Sequence, residues 1–290
     1  MKIKGVIGIL GCGWLGFPLA QSLISGGYLV KGTTTSQQKI QTLTAEGIDP
    51  YLVQFSASKP DPDLSGFLQA DTLIVSVPPG RRNADGFENY RRMARHLCAL
   101  LPDSGITRII FISSTSVYAD LNGIVNENSP LLPDTGSGKL LEEIEDLFSS
   151  LQMKVIILRL AGLIGPERFP GRFFAGKTNI PNGRAPINLI HLDDVIRLIH
   201  SIIENDQAHG VYNGCAPSHP TKEEFYTLAA KQAGLRVPEF LPEKITWKII
   251  TSERLESELN FKFKISSLMD WLSNRKMLYL FGILFALFRF

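Results

Sequence analysis

The chain has 290 residues, with 30 Lys plus Arg against 28 Asp plus Glu, a balance that points to neither nucleic-acid binding nor an acidic tail. That length buries a proper core and lies between one large α/β domain and two modest ones. The three cysteines, Cys12, Cys98 and Cys215, are far apart and odd in number, so no disulfide framework or zinc spacing is read from them and a cytoplasmic, reducing setting is expected.

Ile3–Leu10 runs straight into glycines without a cleavage-site pattern, so no signal peptide is expected there. Val6–Leu10 reads as a buried strand, followed by a helix from about Trp14 to Ser25 that Gly26-Gly27 stops. Tyr28–Lys31 begins a second strand, Ser36–Glu46 suits a helix, and Tyr51–Phe55 reads as a third strand. Thr72–Val77 is a fourth strand, rich in β-branched residues and closed by Pro78-Pro79. A helix over Phe87–Leu101 precedes a strand at Arg108–Ser113, and a helix over Ser137–Ser150 precedes another at Lys154–Leu160.

After Leu160 the rhythm loosens. Gly162–Arg184, rich in Gly, Pro, Arg and Phe, reads as loops around a cleft. Asn188–His191 looks like a short strand, and Asp193 or Asp194 is expected to cap a helix running to Glu204. Val211–Asn213 is a further short strand, and Thr221-Lys222-Glu223-Glu224 opens a helix with a capping pattern. The class is therefore α/β: a Rossmann-type doubly wound parallel sheet with a smaller C-terminal substrate lobe. The expected division is 1–160 for the nucleotide-binding domain, 161–265 for the substrate lobe, partly interwoven with the sheet, and 266–290 for a helix and hydrophobic tail.

Gly11-Cys12-Gly13-Trp14-Leu15-Gly16 matches G-x-G-x-x-G in the context that gives the motif meaning, after a strand and opening a helix. Gly11 permits the tight turn, Gly13 lets backbone approach the phosphates, and Gly16 lets helix and strand pack closely. The helix start at Trp14, Leu15 and Gly16 offers N–H groups and partial positive charge to the pyrophosphate of NAD or NADP. An NAD site usually carries Asp or Glu at the end of the second strand, but Lys31-Gly32-Thr33-Thr34-Thr35-Ser36-Gln37 holds no acid. The hydroxyls of Thr33, Thr34 and Thr35 and the nearby Lys31 can serve a 2′-phosphate, so NADP is favoured over NAD. The bland alternative is a turn and a helix cap.

Ile109–Ser113 runs into the hydroxyl-rich loop Ser114-Thr115-Ser116-Val117-Tyr118. Together with the glycine loop and Lys139, this resembles the extended short-chain dehydrogenase/reductase superfamily, the NAD-dependent epimerase/dehydratases. The likeness extends from Val6 to about Phe263. Gly11–Ala20, Arg159–Pro166 and Pro170–Lys177 are similar in detail to an atypical bacterial branch, the nucleoside-diphosphate-sugar epimerase-like proteins. The resemblance implies a Ser, a Tyr and a Lys at the reaction centre, the last two spaced Y-x-x-x-K. Ser114 then falls at the serine position and Lys139 at the lysine position, where it would also hold the nicotinamide ribose. The tyrosine position is Thr135. A threonine hydroxyl is far too weak an acid to shuttle protons near neutral pH, so the ordinary mechanism is in question while cofactor binding is not. Tyr118 reads as a core ring.

Val77 and Pro78 end the fourth strand at the carboxyl edge, where ligands bind, and are expected to line the cofactor. Arg81 and Arg172 are candidates for an anionic substrate, since guanidinium suits bidentate oxyanion contacts. For Arg81 a solvated loop arginine is an equal alternative, and Arg159 could as easily form a structural ion pair. The histidines show no metal-ligand spacing, so no metal is expected. Met277–Phe290 is strongly apolar but shorter than the ~20 residues of a spanning helix. Docking within the protein or in a homodimer is the favoured reading for it, ahead of contact with a membrane surface. The function that the resemblance implies is an NAD(P)-dependent oxidoreductase or epimerase acting on a sugar-nucleotide-like or other small hydroxyl or carbonyl substrate. The rival is a binding module or sensor that kept the cofactor pocket and lost its proton shuttle.

Overall fold

The computed structural model describes residues 3–56, 58–80 and 85–274. Its first half alternates as the sequence predicts: β1 (Val6–Leu10), α1 (Gly16–Ser25), β2 (Leu29–Thr34), α2 (Gln37–Ala45), β3 (Asp49–Leu52), β4 (Thr72–Val75), α3 (Gly86–Leu100) and β5 (Arg108–Ser114). Then come β6 (Gly123–Val125), α4 (Gly136–Ser149), β7 (Lys154–Leu160), β8 (Gly162–Ile164), β9 (Leu189–His191), α5 (Leu192–Glu204) and β10 (Gly210–Gly214). The remaining named elements are α6 (Lys222–Gln232), β11 (Lys248–Ile250) and α7 (Glu253–Leu259), and residues 268–274 are helical.

Seven strands form one sheet in the order β10-β7-β5-β4-β1-β2-β3. The ladders β3–β2, β2–β1, β1–β4, β4–β5 and β5–β7 are all parallel. Parallel strands covered on both faces need near-continuous apolar runs, and β4 is buried at every residue. The order reverses between β1 and β4, and such a switch point opens a crevice beyond the carboxyl ends of the strands.

The described residues form two compact units: one within 3–119, 130–160 and 196–212, the other within 120–129, 161–195 and 213–274. Within the first unit a charged pair is buried. Arg159 on β7 donates from Nη2 to Glu145 Oε2 at 2.6 Å, and both side chains are under a tenth exposed. Ser113 Oγ donates to Glu145 Oε1 at 2.5 Å, and Arg159 Nη1 donates to Tyr118 Oη at 2.7 Å. The structural reading of Arg159 and the core reading of Tyr118 therefore hold. This network stitches α4, β5 and β7 together.

In the second unit, Ile164, Phe225, Ala229, Leu268 and Leu272 centre an apolar core. The capping box of α6 is present as predicted: Glu224 N donates to Thr221 Oγ1 (3.2 Å) and Thr221 N to Glu224 Oε2 (3.0 Å). Two expectations need correction. Gly162–Arg184 is not all loop, because Gly162–Ile164 forms β8 and pairs with β9. Asp193 and Asp194 lie inside the first turn of α5, which starts at Leu192. Asp194 is fully buried there and accepts from the backbone N–H groups of Lys264 (2.7 Å) and Ile265 (2.9 Å), fastening that segment.

Cys12 and Cys215 are buried thiols in no disulfide, and burial pushes each up to about 12, so neither is a nucleophile at neutral pH. Among the described residues no helix is long and apolar enough to cross a membrane. The apolar run Met277–Phe290 lies outside the described residues.

Removing one partner of the buried pair strands the other charge. Glu145→Ala should therefore cost about 3–5 kcal/mol in chemical denaturation, and Glu145→Leu with Arg159→Met should recover most of it. Equal losses in the single and double variants would mean that the pair is not the coupled unit described.

Candidate functional site

The loop after β1 is held by the ends of its two neighbouring strands. Gly11 N donates to Thr33 Oγ1 (2.8 Å), Cys12 N donates to Thr33 O (2.8 Å), and Ser76 Oγ donates to Gly11 O (2.9 Å). Gly11 sits at φ +105°, and a Cβ there would stand 2.9 Å from Val77 Cγ2. Side chains other than glycine are both strained and obstructed at that point. A Cβ on Gly16 would meet Gly11 O at 2.1 Å, so α1 can start this close to the loop only through a glycine. Gly13 differs: nothing lies within 4 Å of its would-be Cβ, and it is exposed. Its N–H donates to Gly11 O (2.8 Å) and its carbonyl accepts from Phe17 N (3.0 Å), so what it gives the crevice is room for a diphosphate to come close to the backbone. Leu15, the N-cap of α1, makes no side-chain capping bond and no acid sits in the first turn, which leaves the positive end of the helix suited to an anion. Leu15 and Gly16 are buried and Trp14 is half-buried, so Leu15 and Gly16 have only backbone to offer a ligand.

Gly11, Gly13, Thr33, Thr34, Thr35, Val77 and Pro78 all line one cleft of about 320 Å³. Two of the three threonine hydroxyls are already engaged: Thr33 accepts from Gly11 N, and Thr34 accepts from Ser36 N (3.1 Å). Thr35 is exposed at the rim. Lys31 does not serve the cleft. Its ammonium donates to Gly66 O (2.5 Å) and lies over the Tyr51 ring, because β2 points that side chain away. Lys39, in the first turn of α2, lines the cleft in its place. No carboxylate lines it.

The sequence reading missed Lys39, Phe55, Asn89, Tyr90 and Met93, all of which line the cleft. Lys39 was findable one helical turn beyond Thr35. Tyr90 and Met93 fall on the buried stripe of α3 with Gly86, Ala94 and Leu97, where a tyrosine among apolar residues is a signal in itself.

The hydroxyl-rich stretch closes β5. Ser116 N donates to Ser114 Oγ (3.2 Å) across a 3₁₀ turn at Thr115–Val117. The first turn of α4 packs against that turn, since a Cβ on Gly138 would come within 2.4 Å of Ser116 O. Ser114 and Lys139 are thus carried on adjoining turns, with Lys139 exposed. Thr135 is the N-cap of α4, its Oγ1 accepting from Gly138 N at 3.1 Å. None of Ser114, Thr135 and Lys139 lines the glycine-loop cleft itself.

Arg81 lies outside the described residues. Arg172 ends a 3₁₀ turn (Pro170–Arg172) of the second unit and is exposed. Gly171 before it packs on α6, where a Cβ would meet Ala229 O at 2.5 Å. Among the described residues no cluster of three or more His, Cys, Asp and Glu is placed to hold a metal.

The NAD dependent epimerase/dehydratase family matches residues 7–214. Protein YeeZ of Escherichia coli strain K12 is 42% identical over 263 residues, covering 89% of this chain and 95% of that protein. A UDP-glucuronic acid 4-epimerase from Bacillus cereus, solved with UDP-glucuronic acid and NAD, superposes with a TM-score of 0.77 at 20% identity, covering 92% of this chain and 96% of that one. A short-chain dehydrogenase/reductase superfamily protein from Agrobacterium tumefaciens, solved with NAD, gives 0.75 at 16% identity over 95% and 98%. On the matched span, the strand order and the glycine loop that fills its switch point, the chain belongs to the NAD dependent epimerase/dehydratase family.

Proposed function

We propose that this protein is an NAD(P)-dependent oxidoreductase or epimerase of the extended short-chain dehydrogenase class, acting on a small hydroxyl or carbonyl substrate of the sugar-nucleotide type. The observation that carries the reading is the cleft at the switch point, where Gly13 leaves room for a diphosphate and the start of α1 has neither a side-chain cap from Leu15 nor an acid in its first turn. A nicotinamide bound there would supply hydride transfer. The chain's own part is to hold the diphosphate at Gly11–Gly16 and to bind and orient the reacting oxygen. Ser114 Oγ accepts from Ser116 N and keeps its proton to donate to that oxygen. Lys139, exposed on the first turn of α4, is proposed to hold ribose hydroxyls. Arg172 and Arg81 are proposed for an anionic part of the substrate.

NADP is favoured over NAD. No carboxylate lines the cleft to hold a ribose 2′-hydroxyl or repel a 2′-phosphate, whereas Thr35 and Lys39 supply a hydroxyl and a cation. The second reading, a cofactor-binding module without turnover, is favoured by Thr135. The resemblance puts it where a tyrosine would shuttle the proton; its hydroxyl accepts the capping hydrogen bond of α4 and is too weak an acid to replace tyrosine.

Lys39→Ala should lower NADPH affinity roughly tenfold in calorimetric titration and change NADH by less than about twofold. Equal losses would remove Lys39 from contact with a 2′-phosphate. Thr34→Asp should shift preference toward NADH, and an unchanged preference would sink the NADP assignment. Turnover separates the two functional readings. The enzyme reading predicts that the wild type converts a member of a UDP-sugar panel and that Ser114→Ala slows it about a hundredfold or more. Tight cofactor binding with no conversion, by the wild type or by Thr135→Tyr, would establish the binding module.

A further inference from the structure

One residue that lines the cleft carries a polar atom with nothing to bond among the described residues. Tyr90 is buried on α3, and its hydroxyl, sealed from solvent, has no hydrogen-bond partner among them. Two other buried side-chain atoms share that state among the described residues, Ser116 Oγ and Gln232 Oε1, but neither residue lines the cleft. An unpaired buried hydroxyl destabilises a fold, and phenylalanine would fill the same space without that cost. Burial raises the phenol above its ordinary range, so it stays neutral and can both donate and accept. The surroundings indicate what it would meet. Val53, Phe55 and Met93 make an apolar wall beside Tyr90, suited to a flat heteroaromatic base, while Lys39, Thr35 and Gly13 supply the polar contacts that suit phosphates.

We propose that the Tyr90 hydroxyl is completed by the purine end of the bound nucleotide, and that it selects for a base able to hydrogen-bond there. The inference rests on the reading of this cleft as a dinucleotide site. It requires the wall to give slightly as the base enters, which Met93, a flexible unbranched side chain, allows. Tyr90 is thus a specificity residue whose cost to the ligand-free fold is returned on binding, and its two effects have opposite signs.

Tyr90→Phe removes the oxygen and keeps the ring, so the variant folds. Without nucleotide its Tm should rise by roughly 2–4 °C. Its Kd for NADPH and for ADP-ribose, which lacks the nicotinamide, should each rise roughly three- to tenfold. Unchanged affinity for both ligands would overturn the inference, whatever the Tm does, while leaving the dinucleotide site intact. A loss for NADPH alone would place the hydroxyl at the nicotinamide or the 2′-phosphate, the two groups that ADP-ribose lacks, and overturn the purine assignment. A wild type that binds neither ligand would overturn the dinucleotide reading and this inference with it.

Discussion

A Cβ on Gly16 would stand 2.1 Å from the carbonyl oxygen of Gly11, so α1 begins where it does only because residue 16 has no side chain. That one close approach sets the rest of the site. It turns the chain sharply after β1, lets Gly11 exchange hydrogen bonds with Thr33 and Ser76, and so ties the carboxyl ends of β2 and β4 to the same loop. It also aims the start of α1 at the crevice where the strand order reverses. The positive end of a helix then adjoins the open space left by Gly13, a combination that favours a diphosphate.

The parts legible in the sequence were those that obey a period or a steric rule. The apolar runs of β1, β4, β5 and β7 and the glycine spacing follow from burial and from the lack of room for side chains. The capping box at Thr221 and Glu224 follows from the unpaired N–H groups of a helix start. Three strands escaped notice: β6, β8 and β11 have three residues each, too few to show alternation. Lys39 escaped because its role is set by where α2 lies relative to Thr35. Lys31 looked suitable by proximity in sequence, yet the pleat of β2 sends it to Gly66. The partner of Asp194 lies 70 residues away in sequence at Lys264, beyond any local pattern.

The lower part of the site is firmer than the chemistry expected of it. Arg159, Glu145, Ser113 and Tyr118 form a buried network that fixes β5, β7 and α4 relative to one another. Ser114 and Lys139 ride on that frame, while Thr135 between them is given to capping α4. A scaffold this well fixed keeps a hydroxyl and a lysine on adjoining turns whether or not a proton shuttle completes them. The proposed binding and the proposed turnover are therefore separable, and the binding half turns first on the glycine loop.

Calorimetric titration of the wild type and of Gly13→Asp with NADPH tests that half most directly. The open space around Gly13 accommodates an aspartate without a clash, so the variant should fold as the wild type does while placing a carboxylate where the diphosphate would lie. A diphosphate held at the glycine loop requires micromolar binding by the wild type, on the order of −8 kcal/mol, and none detectable for the variant. Equal binding by both, or none by the wild type, would contradict it.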